Sequence, residues 1–134
     1  MSSIFSKMAI SAFLITFNVA HKITRTLDSL KWANEIIVVD GGSADGTQQI
    51  CERKNAKVHY RKFDNFSNQK NYALSLVSSE WAFSIDSDEQ VTERLAEEVA
   101  NSVQTPGNTS GFYMPRQNYF LGTPLRFAGQ SNEY

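Results

Sequence analysis

Apolar positions recur along this chain at two alternating periods. From Ala9 to Phe17 they run almost without a break and include β-branched residues, which predicts a strand; Ile23, Leu27 and Leu30 then return at helical spacing. "EIIVVD" (Glu35 to Asp40) is again continuously apolar, the pattern of a strand buried on both faces. After the turn "GGSADG" the pattern predicts a helix over Thr47 to Lys54 and a third strand over Lys57 to Arg61. Beyond the loop "KFDNF" it predicts a helix over Ser67 to Val77, with Tyr72, Ala73, Leu76 and Val77 on its inner side. "WAFSI" (Trp81 to Ile85) predicts a fourth strand. Thr92 is placed to cap a helix running to Val103, with Glu93 near its positive end. In residues 112–127, aromatic and polar positions alternate around "LGTP", which predicts an antiparallel hairpin.

Strand and helix alternating in this way imply an α/β fold, a mainly parallel sheet with helices on both faces. With 134 residues, 41% of them hydrophobic, the chain has the size of one domain with one core. Thirteen basic and fourteen acidic residues leave a net charge of -1, so composition speaks against a nucleic-acid binder, and any phosphate recognition must be local. The single cysteine, Cys51, excludes an internal disulfide and a cysteine-based zinc site, and its position on a helix suits a buried small hydrophobe. Lys7 followed by "MAISAFLITF" resembles the start of a signal peptide. The run lacks a cleavage site and is too short to span a bilayer, so it reads as the first strand, preceded by a leader over residues 1–8.

Ligands of parallel sheets bind beyond the carboxyl ends of the strands. Those ends carry Thr16 and Asn18 after the first strand, Asp40 after the second, and Asp86 with Asp88 after the fourth. Acids and amides are common in turns for local reasons, and a lone D-x-D more often caps or solvates a loop. Position at a strand's carboxyl end shifts the balance toward a cation site. Opposite unit charges about 4 Å apart attract by roughly 4 kcal/mol at an effective dielectric near 20. Mg2+ or Mn2+, which take oxygen ligands and are commonly shared with substrate phosphates, suit two carboxylates one residue apart. An EF-hand is excluded because Val91 stands where its glycine is required, and Gln90 breaks the D-x-D-x-T of haloacid-dehalogenase-type phosphatases. "GGSADG" misses the dinucleotide pattern G-x-G-x-x-G at Ser43. His21 and His59 have no partner at ligand spacing, and Trp32 and Trp81 read as packing residues.

"ISAFLITFN", "EIIVVDGGSADGT", "FSNQKNYALSL", "WAFSIDSDE" and "GFYMPRQNYFLGTPLRF" occur in an order and spacing that resemble family 2 glycosyltransferases of the GT-A fold. The resemblance runs from Ile10 to the end and is nearest to the bacterial lipopolysaccharide-core, glucosyltransferase-like branch. It implies a nucleotide-sugar-binding half over residues 9–104, followed over 105–134 by the start of an acceptor-side region. It also implies that Thr16 and Asn18 lie along the nucleotide and that Asp40 accepts a hydrogen bond from the uracil. Ser43, Asp45 and Thr47 would shape the turn and the next helix start. Lys70 matches the basic position that reaches the nucleotide, although a solvated helix residue would look the same in sequence. Asp86 would face the ribose or metal, and Asp88 would ligate the metal. The implied reaction is inverting transfer of a hexose from a UDP-sugar to a saccharide or lipid-linked acceptor of the cell envelope. It would be metal-dependent and cytoplasmic, at the inner face of the membrane, with peripheral membrane association in the longer family members.

Two features depart from the family pattern. Val19 stands where members usually carry an acid, and the general base for the acceptor lies, in the family, farther downstream than "GQSNEY". Glu133 is therefore not taken as the base. The alternative reading is a nucleotide-binding module of the same fold without transfer activity, and apolar surface left by an absent downstream region would favour a homodimer. Phe112, Tyr113, Tyr119, Phe120 and Phe127 suit a sugar-stacking surface and a hairpin covering a core equally well.

Overall fold

In the computed structural model, residues 9–104 are described in full, together with the backbone of two short strands at 118–120 and 123–125. The predicted leader, and most of the residues assigned to an acceptor-side region and hairpin, lie outside the described residues. The elements run β1 (Ile10–Thr16), α1 (Ile23–Asp28), β2 (Glu35–Asp40), α2 (Thr47–Arg53), β3 (Lys57–Tyr60), α3 (Phe66–Ser75), β4 (Trp81–Ser84) and α4 (Glu93–Gln104). Beyond these, β5 (Asn118–Phe120) and β6 (Thr123–Leu125) pair antiparallel with each other.

The four-stranded sheet is parallel throughout, in the order β3-β2-β1-β4. From β1 the chain builds outward to β2 and β3, then returns through α3 to place β4 on the other side of β1. Successive residues of a strand point to opposite faces, and here each face meets helices. Ile10, Ala12 and Leu14 of β1, with Ile36 and Val38 of β2, join Ile23 and Leu27 of α1, Cys51 of α2 and Val103 of α4 in one core cluster. Phe13, Ile37 and Val39 face the other way, onto Ala73, Tyr72, Leu76 and Val77 of α3 and its C-terminal turn. Both faces of β1 and β2 are thus dry, which is why their sequences are continuously apolar rather than alternating.

The element boundaries follow local chemistry. Asn65 caps α3 by accepting from the Asn68 N–H at 2.8 Å, so the helix opens at Phe66, one residue before the predicted start, and it closes at Ser75. Thr92 caps α4 as expected, its Oγ1 accepting from the Leu95 N–H at 3.0 Å. Trp32 packs edge-on against Phe83 with ring centroids 5.2 Å apart, and Cys51 is fully buried, its thiol pushed up to about 12 by desolvation and by the nearby Asp40 and Glu52 charges.

At the amino-terminal edge of the sheet, Glu35 ties together three strands and the loop before β4. It accepts from Lys57 Nζ at 2.8 Å, from Ser11 Oγ at 2.6 Å, and from the Ser78 N–H and hydroxyl at 3.1 and 2.7 Å. Lys57 first, then Ser11, outweigh the desolvation of this nearly buried carboxylate and hold its pKa at about 2, against 4.5 when unperturbed. A depressed carboxylate stabilises the fold fully above its unfolded pKa and loses that contribution as pH falls through its folded value. Stability should therefore drop by about 2 kcal/mol between roughly pH 4.5 and pH 2, after allowance for the solvent around the exposed Lys57. Urea unfolding at stepped pH should show this slope, and Glu35→Gln should flatten it.

Candidate functional site

The site begins at Asp40, the last residue of β2, which is fully buried. One carboxylate oxygen accepts from Thr16 Oγ1 and Ser43 Oγ, both at 2.6 Å. The other accepts from the Gly42 N–H at 2.9 Å, the Ser43 N–H at 2.7 Å and Gln48 Nε2 at 2.8 Å. Burial alone would raise its pKa, but Gln48, Ser43 and Thr16 together outweigh it, and the carboxyl stays below the ordinary carboxylate range. Gly42 adopts φ 110°, a conformation costly for any side-chain-bearing residue, and so turns the next N–H, that of Ser43, back onto Asp40.

A second set of bonds stitches the loop after β1 to the loop after β2. The Asn18 N–H donates to Ser43 Oγ at 2.7 Å, and the Asn18 side-chain oxygen accepts from the Ala44 N–H at 2.8 Å. Asp45 accepts from Thr47 Oγ1 at 2.6 Å and from the Ala20 N–H at 3.0 Å, while Thr47 Oγ1 accepts from the Val19 N–H at 3.0 Å. The residues expected to shape this turn therefore do so by tying two strand ends into one wall.

A cleft of about 400 Å³ opens where the strand order reverses, beside the carboxyl ends of β1 and β4. It brings together Thr16 from β1, Lys70 from α3, and Asp86 and Asp88 from the loop after β4. Asn18 and Asp40 stand outside its lining and act in the wall behind it. Lys70 Nζ lies 3.4 Å from Asp86 Oδ1, each side chain 41% exposed, and Asp88 is exposed. The acidic loop is pinned from behind: Thr26 Oγ1 donates to the Ser87 carbonyl at 2.9 Å, and Ser29 Oγ accepts from the Val91 N–H at 3.0 Å. Within the loop, the Asp86 N–H donates to Glu89 Oε1 at 2.9 Å.

The aromatic mouth of the cleft was not legible in the sequence. Phe17, Phe63 and Phe66 line it and remain exposed, Phe63 and Phe66 meeting edge to face at 5.1 Å. Buried Gln69 anchors this side, donating to the Arg61 carbonyl at 2.7 Å and accepting from the Arg61 guanidinium at 2.8 Å. A Cβ on Gly41 would come within 3.3 Å of Phe63 Cβ, so the glycine lets the loop before α3 close against the end of β2. The sequence signals for this arrangement were two phenylalanines in the loop "KFDNF", outside the apolar periodicity, while Phe17 read as the end of the first apolar run. Val19, noted as a departure, is buried in the main core cluster while also lining the cleft.

As a donor set, Asp86 and Asp88 offer hard anionic oxygens on a short pinned loop. Among the described residues, no group of three or more His, Cys, Asp or Glu side chains is placed to hold a metal by itself. Two carboxylates fit a Mg2+- or Mn2+-type ion that takes its other ligands from a phosphate and water, and do not fit a closed structural metal site.

A parallel α/β sheet with its cleft at the reversal of strand order, walled by a buried aspartate and fronted by two acids and a lysine, has its candidate site where open sheets of this class bind their ligands. The sequence model of glycosyl transferase family 2 matches residues 11–130, and the chain belongs to that family. Over 91 residues it is 41% identical to a glycosyltransferase of Rickettsia felis, a match covering 67% of this chain and 32% of the relative. Over 121 residues it is 29% identical to the lipopolysaccharide core biosynthesis glycosyltransferase LpsC of Rhizobium meliloti, covering 87% of this chain and 45% of LpsC. The chain thus matches about a third to less than half of the length of these relatives. Among solved structures, Staphylococcus aureus TarS aligns with a TM-score of 0.59 and 28% identity, over 72% of this chain and 19% of TarS. Glucosyl-3-phosphoglycerate synthase from Mycobacterium tuberculosis, in complex with Mn2+, UDP and glucosyl-3-phosphoglycerate, aligns with a TM-score of 0.62 and 22% identity, over 73% of this chain and 40% of the synthase. The fold is GT-A. No helix among the described residues is long and apolar enough to cross a membrane.

Proposed function

We infer that this chain binds a nucleoside-diphosphate sugar, UDP-linked, in the cleft at the carboxyl ends of β1 and β4, together with Mg2+ or Mn2+. In this reading it is the donor-binding part of an inverting hexosyltransferase acting on a lipopolysaccharide or other cell-envelope saccharide. The observation that carries the reading is the convergence of Asp86 and Asp88, from the loop after β4, with Lys70 of α3 on one cleft. Family membership, the name of LpsC and the UDP and Mn2+ bound by the aligned synthase support it.

Each residue then has a stated task. Asp86 and Asp88 would hold the metal, which when bound neutralises charge on the departing diphosphate. Lys70 would meet the diphosphate, and Thr16 would lie along the nucleoside. Asp40 and Asn18 would act through the shape of the wall, since the Asp40 oxygens face five protein donors and the Asn18 side-chain oxygen faces Ala44. The base that activates the acceptor hydroxyl would come from outside the described residues.

Calorimetric titration of UDP with and without Mn2+ tests the reading. Binding is expected with the metal and at least about tenfold weaker without it, as for a diphosphate held through a shared cation. A folded sample that binds UDP equally with and without Mn2+, or not at all, would overturn it.

A further inference from the structure

The contact between Lys70 and Asp86 joins α3 to the loop after β4 across the cleft. At 3.4 Å, with both side chains 41% exposed, it is a loose ion pair of the kind that contributes little to stability and yields to a competing charge. The bonds that hold the acidic loop, from Thr26 to the Ser87 carbonyl, from Val91 to Ser29 and from the Asp86 N–H to Glu89, do not involve Lys70. Yet Lys70 lines the same cleft as Asp86 and Asp88.

We propose that Lys70 is a positioning residue that couples metal binding to diphosphate binding. In the free protein its ammonium takes the electrostatic place of a divalent ion beside Asp86, and it passes to the diphosphate when metal and nucleotide arrive together. The inference rests on the reading of the cleft as a metal-diphosphate site. With Lys70 in place, the Asp86–Asp88 pair presents one net negative charge to an incoming ion instead of two. The free protein therefore attracts a lone divalent cation weakly. A diphosphate carries its own negative charge, draws the ammonium away and leaves both carboxylates to the ion. Linkage makes the effect reciprocal: nucleotide tightens metal by the same factor as metal tightens nucleotide.

The test is Mn2+ binding followed by the electron paramagnetic resonance signal of the free ion, at low salt, for the 134-residue chain and its Lys70→Met and Lys70→Arg variants. Each titration is made without and with UDP, and thermal unfolding checks that the variants fold. Without nucleotide, Lys70→Met should bind Mn2+ about three- to fivefold more tightly, the upper scale of a partly exposed ion pair. Lys70→Arg keeps the charge and should stay within about twofold of the parent chain. The factor by which UDP tightens Mn2+ should shrink in Lys70→Met alone. Unchanged or weaker binding of Mn2+ by Lys70→Met, or an Arg variant that behaves like the Met variant, overturns the proposal while leaving the metal-diphosphate site standing. No Mn2+ binding by the parent chain even with UDP would remove both.

Discussion

Asp40→Ala should lower the free energy of unfolding by about 3 kcal/mol, the scale of a disrupted buried charge network, and Asp40→Asn by only about 1 kcal/mol. The alanine removes the buried acceptor of five donors, two of them the backbone N–H groups of Gly42 and Ser43. The asparagine keeps one acceptor oxygen for Gly42, Ser43 and Gln48. It places its amide nitrogen toward Thr16 Oγ1 and Ser43 Oγ, hydroxyls that can rotate and accept instead of donate. Urea unfolding of the two variants measures the difference. Equal losses would mean that charge, and not donor satisfaction, sets the value of this residue. Because the Asp40 pKa is lowered in the folded state, its stabilisation is present at neutral pH and is lost as pH falls below the usual carboxylate range, so the gap between parent and Asp40→Asn should narrow in acid.

Asp88→Ala should leave stability within about 0.5 kcal/mol of the parent, because the side chain is exposed, and should abolish the Mn2+-dependent part of UDP binding. Loss of an outer-shell partner already weakens metal binding by about 10–100-fold. Removing one of two carboxylates in direct reach of the ion should do at least as much. Calorimetry with and without Mn2+ reads the loss, and the unchanged unfolding midpoint shows that it is local. Full retention of metal-dependent binding by this variant would assign Asp88 to the solvated loop that a lone D-x-D more often marks.

The two halves of the candidate site differed in how far they could be read beforehand. Asp86 and Asp88 were visible because an apolar run ends in them, and the position of strand ends in a parallel sheet follows from the alternation of elements. Phe17, Phe63 and Phe66 were not visible. They meet at one cleft because the loop before α3 approaches the end of β2, closely enough that a Cβ on Gly41 would crowd Phe63, a contact between segments more than twenty residues apart. The Gln69–Arg61 pair that anchors that loop is likewise set by packing, since a buried glutamine on a helix has the same periodicity as an exposed one.

The sequence by itself determined the order of strands and helices from Ile10 to Gln104, because dry faces on both sides of β1 and β2 require continuous apolar runs, and helices with one dry face require a period near 3.6. It also determined that Thr92 would cap α4, through an interaction spanning only three residues. Only the tertiary structure decided that Asp40 turns inward to five protein donors, that Asn18 holds the neighbouring turn, and that Lys70 meets Asp86. The physical reason is range. Periodicity and capping act over a turn or a strand, whereas the direction a polar side chain takes at a strand end is set by donors and charges that the fold brings from distant parts of the chain.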